Sequence, residues 1–162
     1  MKRLIIGNDF RHTVLRVLFL VVATWVVFGV CLQHIRLYGI SMEPTLEEGG
    51  IRFVNKLAYQ QRDPTRGDIV AARFKKGDRV LLLKRVIALP GESIAIRRGQ
   101  TLIDGQILDE PYLHPDDARW NLAETTLGPR EFYLIGDNRS MPIRDHAQGI
   151  VYRDQIIGKL IE

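Results

Sequence analysis

A serine and a lysine have the residue types and settings from which an acyl-transfer site can be built. Ser41 lies in the segment Gly39–Pro44, where glycine permits a tight turn and proline restricts the residue before it. Lys84 interrupts the apolar run Val80–Ala88, whose composition is typical of a strand. A serine hydroxyl activated by a neutral lysine is a known arrangement for nucleophilic catalysis without histidine.

Both residues also have an ordinary structural interpretation. Ser41 alone is typical of a turn serine whose hydroxyl bonds the local backbone. Lys84 is followed by Arg85, and neighbouring strand residues point to opposite faces. If Arg85 faces solvent, Lys84 points inward, where burial lowers the pKa of its amine and suits it to general-base chemistry. A solvated Lys84 would instead require a buried Arg85, and the pattern leaves both orientations open.

A polar turn, Gly136–Arg139, follows one of the predicted strands. Asp and Asn bond local backbone in such turns, and the proximity of Asp137 to Arg139 predicts an ion pair that braces the loop. This turn is therefore expected to support a site without taking part in its chemistry.

Histidine is the commoner base for a serine nucleophile. Downstream of the apolar N-terminal region, His114 and His146 are the candidates. Asp145 precedes His146 directly, and neighbours on a strand point apart, so adjacency does not make a triad. No His, Asp and Glu grouping has metal-ligand spacing, and no Gly-rich phosphate loop is present. We expect neither a metal nor an organic cofactor.

The chain beyond residue 37 consists of short apolar runs separated by Gly, Pro and Asp. This pattern predicts an all-β fold with antiparallel sheets. The predicted strands are 51–57, 68–74, 80–88, 93–98, 101–103, 131–135, 149–152 and 156–161. Residues 104–130 are polar and contain several prolines, which predicts a loop or hairpin excursion.

An apolar segment at residues 13–33 precedes this β-rich region, and only Arg16 interrupts it. About 20 helical residues span the hydrocarbon core of a membrane, so the segment predicts a transmembrane helix. The preceding basic residues favour a cytoplasmic N-terminus. They are Lys2, Arg3 and Arg11.

The chain is thus predicted to have a cytoplasmic N-terminus at 1–12, an anchor helix at 13–33 and an extracytoplasmic domain at 34–162. A cleaved secretory signal has the same basic start and apolar stretch, but no small-x-small cleavage site follows this segment. Cys31, the only cysteine, falls within the helix, so the β-rich domain has no disulfide.

The charge balance argues against one class of partner. The formal net charge is +4, and no basic stripe interleaved with aromatic residues is present. Nucleic-acid binding is therefore not expected. A basic domain tethered at a membrane would be attracted to anionic lipid headgroups.

Four segments, in the family's order, resemble the sequence boxes of type I signal peptidases. They are Ser41–Leu46, Gly67–Val70, Lys84–Glu92 and Gly136–Arg139 followed by Gly149. The similarity extends over about residues 36–161. It implies an all-β serine endopeptidase of the cytoplasmic membrane, active as a monomer without a cofactor. Its substrates would be exported preproteins, cleaved after a small-x-small site.

The resemblance also implies a role for individual residues. Ser41 would be the nucleophile and Lys84 the general base, with Gly39 and Ser41 giving backbone support and the Ser41 amide entering the oxyanion hole. The substrate pockets would be lined by Ile40, Met42, Leu46, Leu82 and Leu83. The site would be supported by Gly136, Asp137, Asn138, Arg139 and Asp145.

The last box departs from the family pattern. Many relatives carry a serine three residues after the arginine of the turn, followed by Asp-Ser-Arg, and that serine often bonds the lysine amine. The corresponding residues here are Pro142, Arg144, Asp145 and His146. We expect Asp145 to pair with Arg139 or Arg144 and another group to orient Lys84. A maturation protease dedicated to pilus or conjugation proteins, or a non-catalytic relative that binds signal peptides, stays an alternative.

Overall fold

The computed structural model describes residues 10–75, 77, 80–113 and 120–161. In this part of the chain, a helix leads into eleven strands. Helix α1 covers Phe10–Val26 and continues as one π-helical turn, Val27–Cys31. The strands are β1 (Leu32–Arg36), β2 (Ile51–Asn55), β3 (Ile69–Ala72), β4 (Leu82–Ala88), β5 (Ser93–Arg97), β6 (Gln100–Ile103), β7 (Gln106–Ile107), β8 (Leu122–Thr126), β9 (Glu131–Ile135), β10 (Gly149–Tyr152) and β11 (Ile156–Leu160).

The strands form two sheets in which every pairing is antiparallel. The larger sheet has the order β1-β2-β11-β3-β4-β9-β10, and the smaller has the order β7-β6-β5-β8. The predicted all-β class is therefore confirmed. All eight predicted strands have a counterpart, and β1, β7 and β8 were not predicted.

The apolar helical segment runs from Phe10 to Cys31, 22 residues with a mean hydropathy of 2.5, and none of its residues is buried. Its length and composition suffice to cross a membrane. The helix starts earlier than the predicted 13–33 and ends two residues sooner. Leu32 and Gln33 pair with β2 instead, because strand pairing satisfies their backbone groups.

The helix joins the larger sheet without a linker. The Lys56 ammonium donates to the carbonyl of Gly29 at 3.1 Å, and the Lys56 amide donates to the carbonyl of Cys31 at 2.9 Å. The ring of Phe28 meets Phe53 of β2 edge to face, with centroids 6.5 Å apart. These contacts satisfy carbonyls that the last helical turn leaves free.

The predicted excursion at 104–130 is more ordered than its composition indicated. It contributes β7 and β8 to the smaller sheet. Trp120 and Leu127 are buried in a core cluster with Ile87 and Ile135 of the larger sheet. Apolar residues of this segment therefore pack against residues of the larger sheet. His114 lies outside the described residues.

Strand β4 has an internal position in the larger sheet, between β3 and β9. Lys84 pairs with Val70 of β3, and Arg85 pairs with Ile69 and with Ile135 of β9. Both faces of an internal strand are covered here, so both cations are buried: Lys84 is 1% exposed and Arg85 is 8% exposed. The prediction that one of the two faces solvent was wrong.

Candidate active site

Ser41 lies in a tight turn between β1 and β2. Gly39 adopts φ 89°, a conformation that L side chains rarely adopt. The turn is closed by the amide of Glu43, which donates to the carbonyl of Ile40 at 3.1 Å. The Gly39 amide is occupied by the Glu48 carboxylate at 2.7 Å. Gly39 therefore shapes the turn, and its N–H is not free to bind substrate.

Two hydrogen bonds from Asn138 hold the backbone of this turn. The amide of Asn138 donates to the carbonyl of Ser41 at 3.1 Å, and its side-chain Nδ2 donates to the carbonyl of Ile40 at 3.0 Å. The polar turn Gly136–Arg139 therefore braces the segment Gly39–Leu46 directly. This segment carries Ser41 and is called the serine segment below. Within the described residues, the Ser41 amide has no protein partner.

Lys84 reaches the serine hydroxyl across the chain. Its Nζ lies 2.5 Å from Oγ of Ser41, and its side chain is almost wholly buried. Burial lowers the pKa of Lys84 to about 8, and the negative charge of Asp137 opposes the shift only in part. A substantial fraction of the amine is therefore neutral near physiological pH. The sequence predicted that these two residues belong to one site, and the structure brings them together.

Arg85 is neutralised by Asp137. Its Nε lies 2.9 Å from Oδ1 and its Nη2 lies 2.5 Å from Oδ2, which is a bidentate pair. Thr45 donates to the same carboxylate at 2.5 Å. Asp137 therefore joins β4 to the serine segment, in place of the predicted ion pair with Arg139.

Arg139 is paired with a residue that sequence reasoning missed. Its Nη2 lies 2.7 Å from Oε1 of Glu110, and both side chains are at most 4% exposed. Tyr112 donates to the same oxygen at 2.7 Å, and its ring carries the Arg85 guanidinium at 4.0 Å from the centroid. The segment 104–130 thus supplies an acid and an aromatic ring to the support of the site, through contacts that no local pattern could reveal.

Comparison with known proteins places the chain in a family. The family model described as "Signal peptidase, peptidase S26" matches residues 10–161. The chain belongs to the signal peptidase family, peptidase S26.

Relatives in this family come from several bacteria. The chain is 36% identical to "Signal peptidase I" of Leptolyngbya laminosa over 75% of the chain and 63% of that protein. It is 36% identical to "Signal peptidase I" of Bacillus caldolyticus over 75% of the chain and 73% of that protein. It is 32% identical to "Probable signal peptidase I-2" of Synechocystis over 74% of the chain and 56% of that protein. The matched part of the chain thus spans a little over half to about three quarters of these relatives' length.

The residues that differ from the common signal peptidase pattern form a short bend beside the site. Pro142 precedes a 3₁₀ turn at Ile143–Asp145. Asp145 is exposed and lies 3.7 Å from the still more exposed Arg144, and a surface pair of this kind contributes little to stability. It does not contact Arg139, whose guanidinium is occupied by Glu110. Asp145 is therefore outside the network that braces the serine segment.

The predicted pocket residues of the signal peptidase site divide into two groups. Met42, Leu46 and Leu83 are at most 6% exposed and pack together in one core cluster. Ile40 is 42% exposed, and Leu82 is partly exposed. The first three therefore fill the space beneath the serine segment, and the other two reach the surface near it.

A large groove lies away from Ser41 and Lys84. It has a volume of about 790 Å³ and is lined by residues at the β10 edge, among them Phe74, Ile150 and Tyr152, and by neither Ser41 nor Lys84. Among the described residues, no group of three or more His, Cys, Asp or Glu side chains is arranged to hold a metal ion. The candidate site consists of Ser41, Lys84 and the polar residues that brace them.

Proposed function

We propose that the chain is a membrane-anchored serine endopeptidase that removes signal peptides from exported preproteins. Ser41 is the nucleophile and Lys84 the general base. The observation that supports this most strongly is the 2.5 Å contact between Ser41 Oγ and the amine of a lysine that is 1% exposed. Burying a charged lysine is costly unless a carboxylate pairs with it, and within the described part of the chain no carboxylate forms an ion pair with Lys84.

Acylation begins with the neutral Lys84 amine. The amine takes the proton of the Ser41 hydroxyl, and Oγ attacks the scissile carbonyl to give a tetrahedral oxyanion. The Ser41 amide, which has no partner within the described residues, is placed to donate to that oxyanion. The Lys84 ammonium then gives its proton to the leaving amine as the C–N bond breaks. The mature protein departs and an ester links Ser41 to the signal peptide.

Deacylation uses the same base again. The neutral Lys84 amine takes a proton from a water molecule, and the hydroxide attacks the ester carbonyl. When the C–O bond breaks, Oγ of Ser41 receives the proton and the signal peptide leaves with a new carboxyl group. The site is then restored without metal or organic cofactor.

The packing around Ser41 favours small substrate side chains. Met42 and Leu83 are buried and occupy the space below the serine segment, so only a shallow surface is left for a substrate residue. Shallow apolar pockets reject bulk by steric contact. A small-x-small cleavage site suits this surface.

The anchor places this chemistry at a membrane. The helix Phe10–Cys31 is joined to β1 without a linker, so the catalytic domain stays near the lipid surface. Basic residues before the helix favour an N-terminus in the cytoplasm and a domain on the outer face. Both dyad residues come from one chain, so a monomer is sufficient for the proposed chemistry.

Cleavage of a model preprotein in detergent tests the assignment. The comparison is between the wild-type protein, Ser41→Ala, Lys84→Ala and the control Ser93→Ala, which removes a hydroxyl from the smaller sheet. Mass spectrometry should place the cut after a small-x-small site for wild type and the control, with both dyad variants inactive. If the wild type leaves several preproteins intact, the dedicated maturation protease or the non-catalytic binding relative becomes the better account.

A further inference from the structure

His146 is a buried polar side chain for which the proposed reaction has no use. It is 4% exposed, and neither ring nitrogen has a hydrogen-bond partner within the described residues. Buried polar groups nearly always have partners, because desolvation without compensation costs free energy. An unpartnered imidazole of this kind therefore calls for a functional explanation.

The ring of His146 lies against the backbone of the nucleophile. A Cβ added to Gly136 would meet the Ser41 carbonyl oxygen at 2.1 Å and Nε2 of His146 at 2.7 Å, so the glycine lets both approach one point. On its other side, the ring meets Trp120 edge to face with centroids 5.0 Å apart. Trp120 is itself fixed by a 2.8 Å bond to the carbonyl of Met141. The imidazole is thus packed beside the Ser41 backbone.

The charges around the ring keep it neutral. Burial, followed by the positive charge of Lys84, lowers the pKa of His146 to about 4, and Arg139 contributes in the same direction. The Ser41 and Ala147 backbones oppose this shift. A neutral imidazole has one N–H donor and one nitrogen with a free lone pair. It therefore offers a hydrogen-bond acceptor that does not compete for the proton.

The reaction creates a need for such an acceptor. When Lys84 takes the proton of Ser41, a buried ammonium with three donors forms. Within the described residues, Ser41 Oγ is the only hydrogen-bond partner of Nζ. Pro142 has no side-chain donor or acceptor to contribute. The amine and the ring both lie against Ser41, one at its hydroxyl and the other near its carbonyl.

We propose that His146 is a positioning residue whose neutral ring accepts a hydrogen bond from the Lys84 ammonium and so orients and stabilises it. This inference rests on the proposed function of the dyad. It identifies the group that orients Lys84 where the common serine is replaced by Pro142. It also explains why a buried imidazole is kept neutral without a partner in the resting site.

Two variants separate this role from mere packing. His146→Leu keeps an apolar contact with Trp120 but has no acceptor, whereas His146→Gln keeps an acceptor. We expect His146→Leu to lower kcat about 10- to 100-fold with little change in KM, the range for a hydrogen bond to a charged group. The apparent pKa at which Lys84 titrates in the pH dependence of kcat/KM should also fall. His146→Gln should recover most of kcat. The proposal would be overturned if His146→Leu were as active as the wild type, or if His146→Gln and His146→Leu lost the same amount of activity.

A second measurement needs no substrate and no Leu variant. The ring ¹⁵N resonances of His146 in the wild-type protein can be followed by NMR from pH 6 to pH 10, assigned with His146→Gln. A step is expected at the pH where Lys84 titrates, and the step should be missing in Lys84→Met. If the resonances show no step, the ring does not contact the amine, whether or not the protein cleaves preproteins.

Discussion

Two cations next to each other on β4 are buried by opposite means. Arg85 is fully neutralised by a bidentate contact with Asp137 and lies over the ring of Tyr112. Lys84 contacts a serine hydroxyl and, among the described residues, forms no ion pair with a carboxylate, so burial lowers its pKa to about 8. The paired cation stabilises the fold, and the unpaired cation becomes available for chemistry.

The difference shows how a fold can accommodate a buried basic side chain without a counter-ion. Desolvating a charge is expensive unless a counter-ion compensates it, and a lysine can avoid the cost by losing its proton. Arginine has no such option at accessible pH. This difference supports the proposal that residue 84 transfers the proton and that residue 85 has a structural role.

The largest effect on activity is expected from Lys84→Met. The variant removes the base, so preprotein cleavage should fall more than about 10³-fold. Because an apolar side chain replaces a buried amine, the free energy of unfolding should stay equal or rise. Cleavage rates and thermal unfolding check both halves. Wild-type activity in a folded Lys84→Met protein would remove the distinction between the two cations.

Arg85→Met should show the converse behaviour. It leaves the carboxylate of Asp137 buried without its partner, so the free energy of unfolding should drop by about 3–5 kcal/mol. Denaturant unfolding measures this loss. The double variant with Asp137→Asn should lose less than the sum of the two single variants, since the charges act as one unit. Additive losses would mean that the pair does not stabilise the fold in this way.

Gly136→Ala tests how closely the polar turn Gly136–Arg139 packs against the serine segment. Its Cβ would lie 2.1 Å from the Ser41 carbonyl oxygen, so the backbone that carries the nucleophile must move. A displacement of this kind is expected to lower kcat about 10²-fold. Gly128→Ala is the matched control, because its Cβ meets only the flexible Glu131 side chain at 3.2 Å. Equal kcat values for the two variants would show that the contact has no catalytic importance.

The smallest effect is expected from Pro142→Ser. The proline precedes a 3₁₀ turn. A serine there adds the hydroxyl that the resemblance to type I signal peptidases leads us to expect. If His146 already orients Lys84, the steady-state rate should change by less than about tenfold, as for most surface substitutions. A gain of several orders of magnitude would show that the wild-type site lacks the support that its amine needs.

The sequence was sufficient to predict the all-β class and to connect Ser41 with Lys84. Strand periodicity is local, and a lysine within an apolar run is visible without coordinates. It failed for β1, because the apolar run of the helix continues into Leu32 without a break. The pocket roles of Met42, Leu46 and Leu83 stay predictions, because these residues lie in one core cluster and apolar character alone does not distinguish a core residue from a pocket wall.

The supporting residues could not be predicted, because their contacts join distant parts of the chain. Glu110 reaches Arg139 across 29 positions, and Arg85 reaches Asp137 across 52. The predicted ion pair between Asp137 and Arg139 was wrong for the same reason. Sequence proximity favoured it, but Asp137 pairs with Arg85 and Arg139 pairs with Glu110. His146 was considered only as a base paired with Asp145, and its packing against Trp120 depends on tertiary structure.

The account depends most on a buried Lys84 that is neutral when it acts. The direct test is the pH dependence of kcat/KM for preprotein cleavage between pH 5 and 10. Because the charged amine cannot accept the proton of Ser41, the rate should rise about tenfold per pH unit and level off above a pKa of about 8. A profile that is flat through this range, or that rises only near the ordinary pKa of lysine, would contradict the assignment of Lys84 as the base.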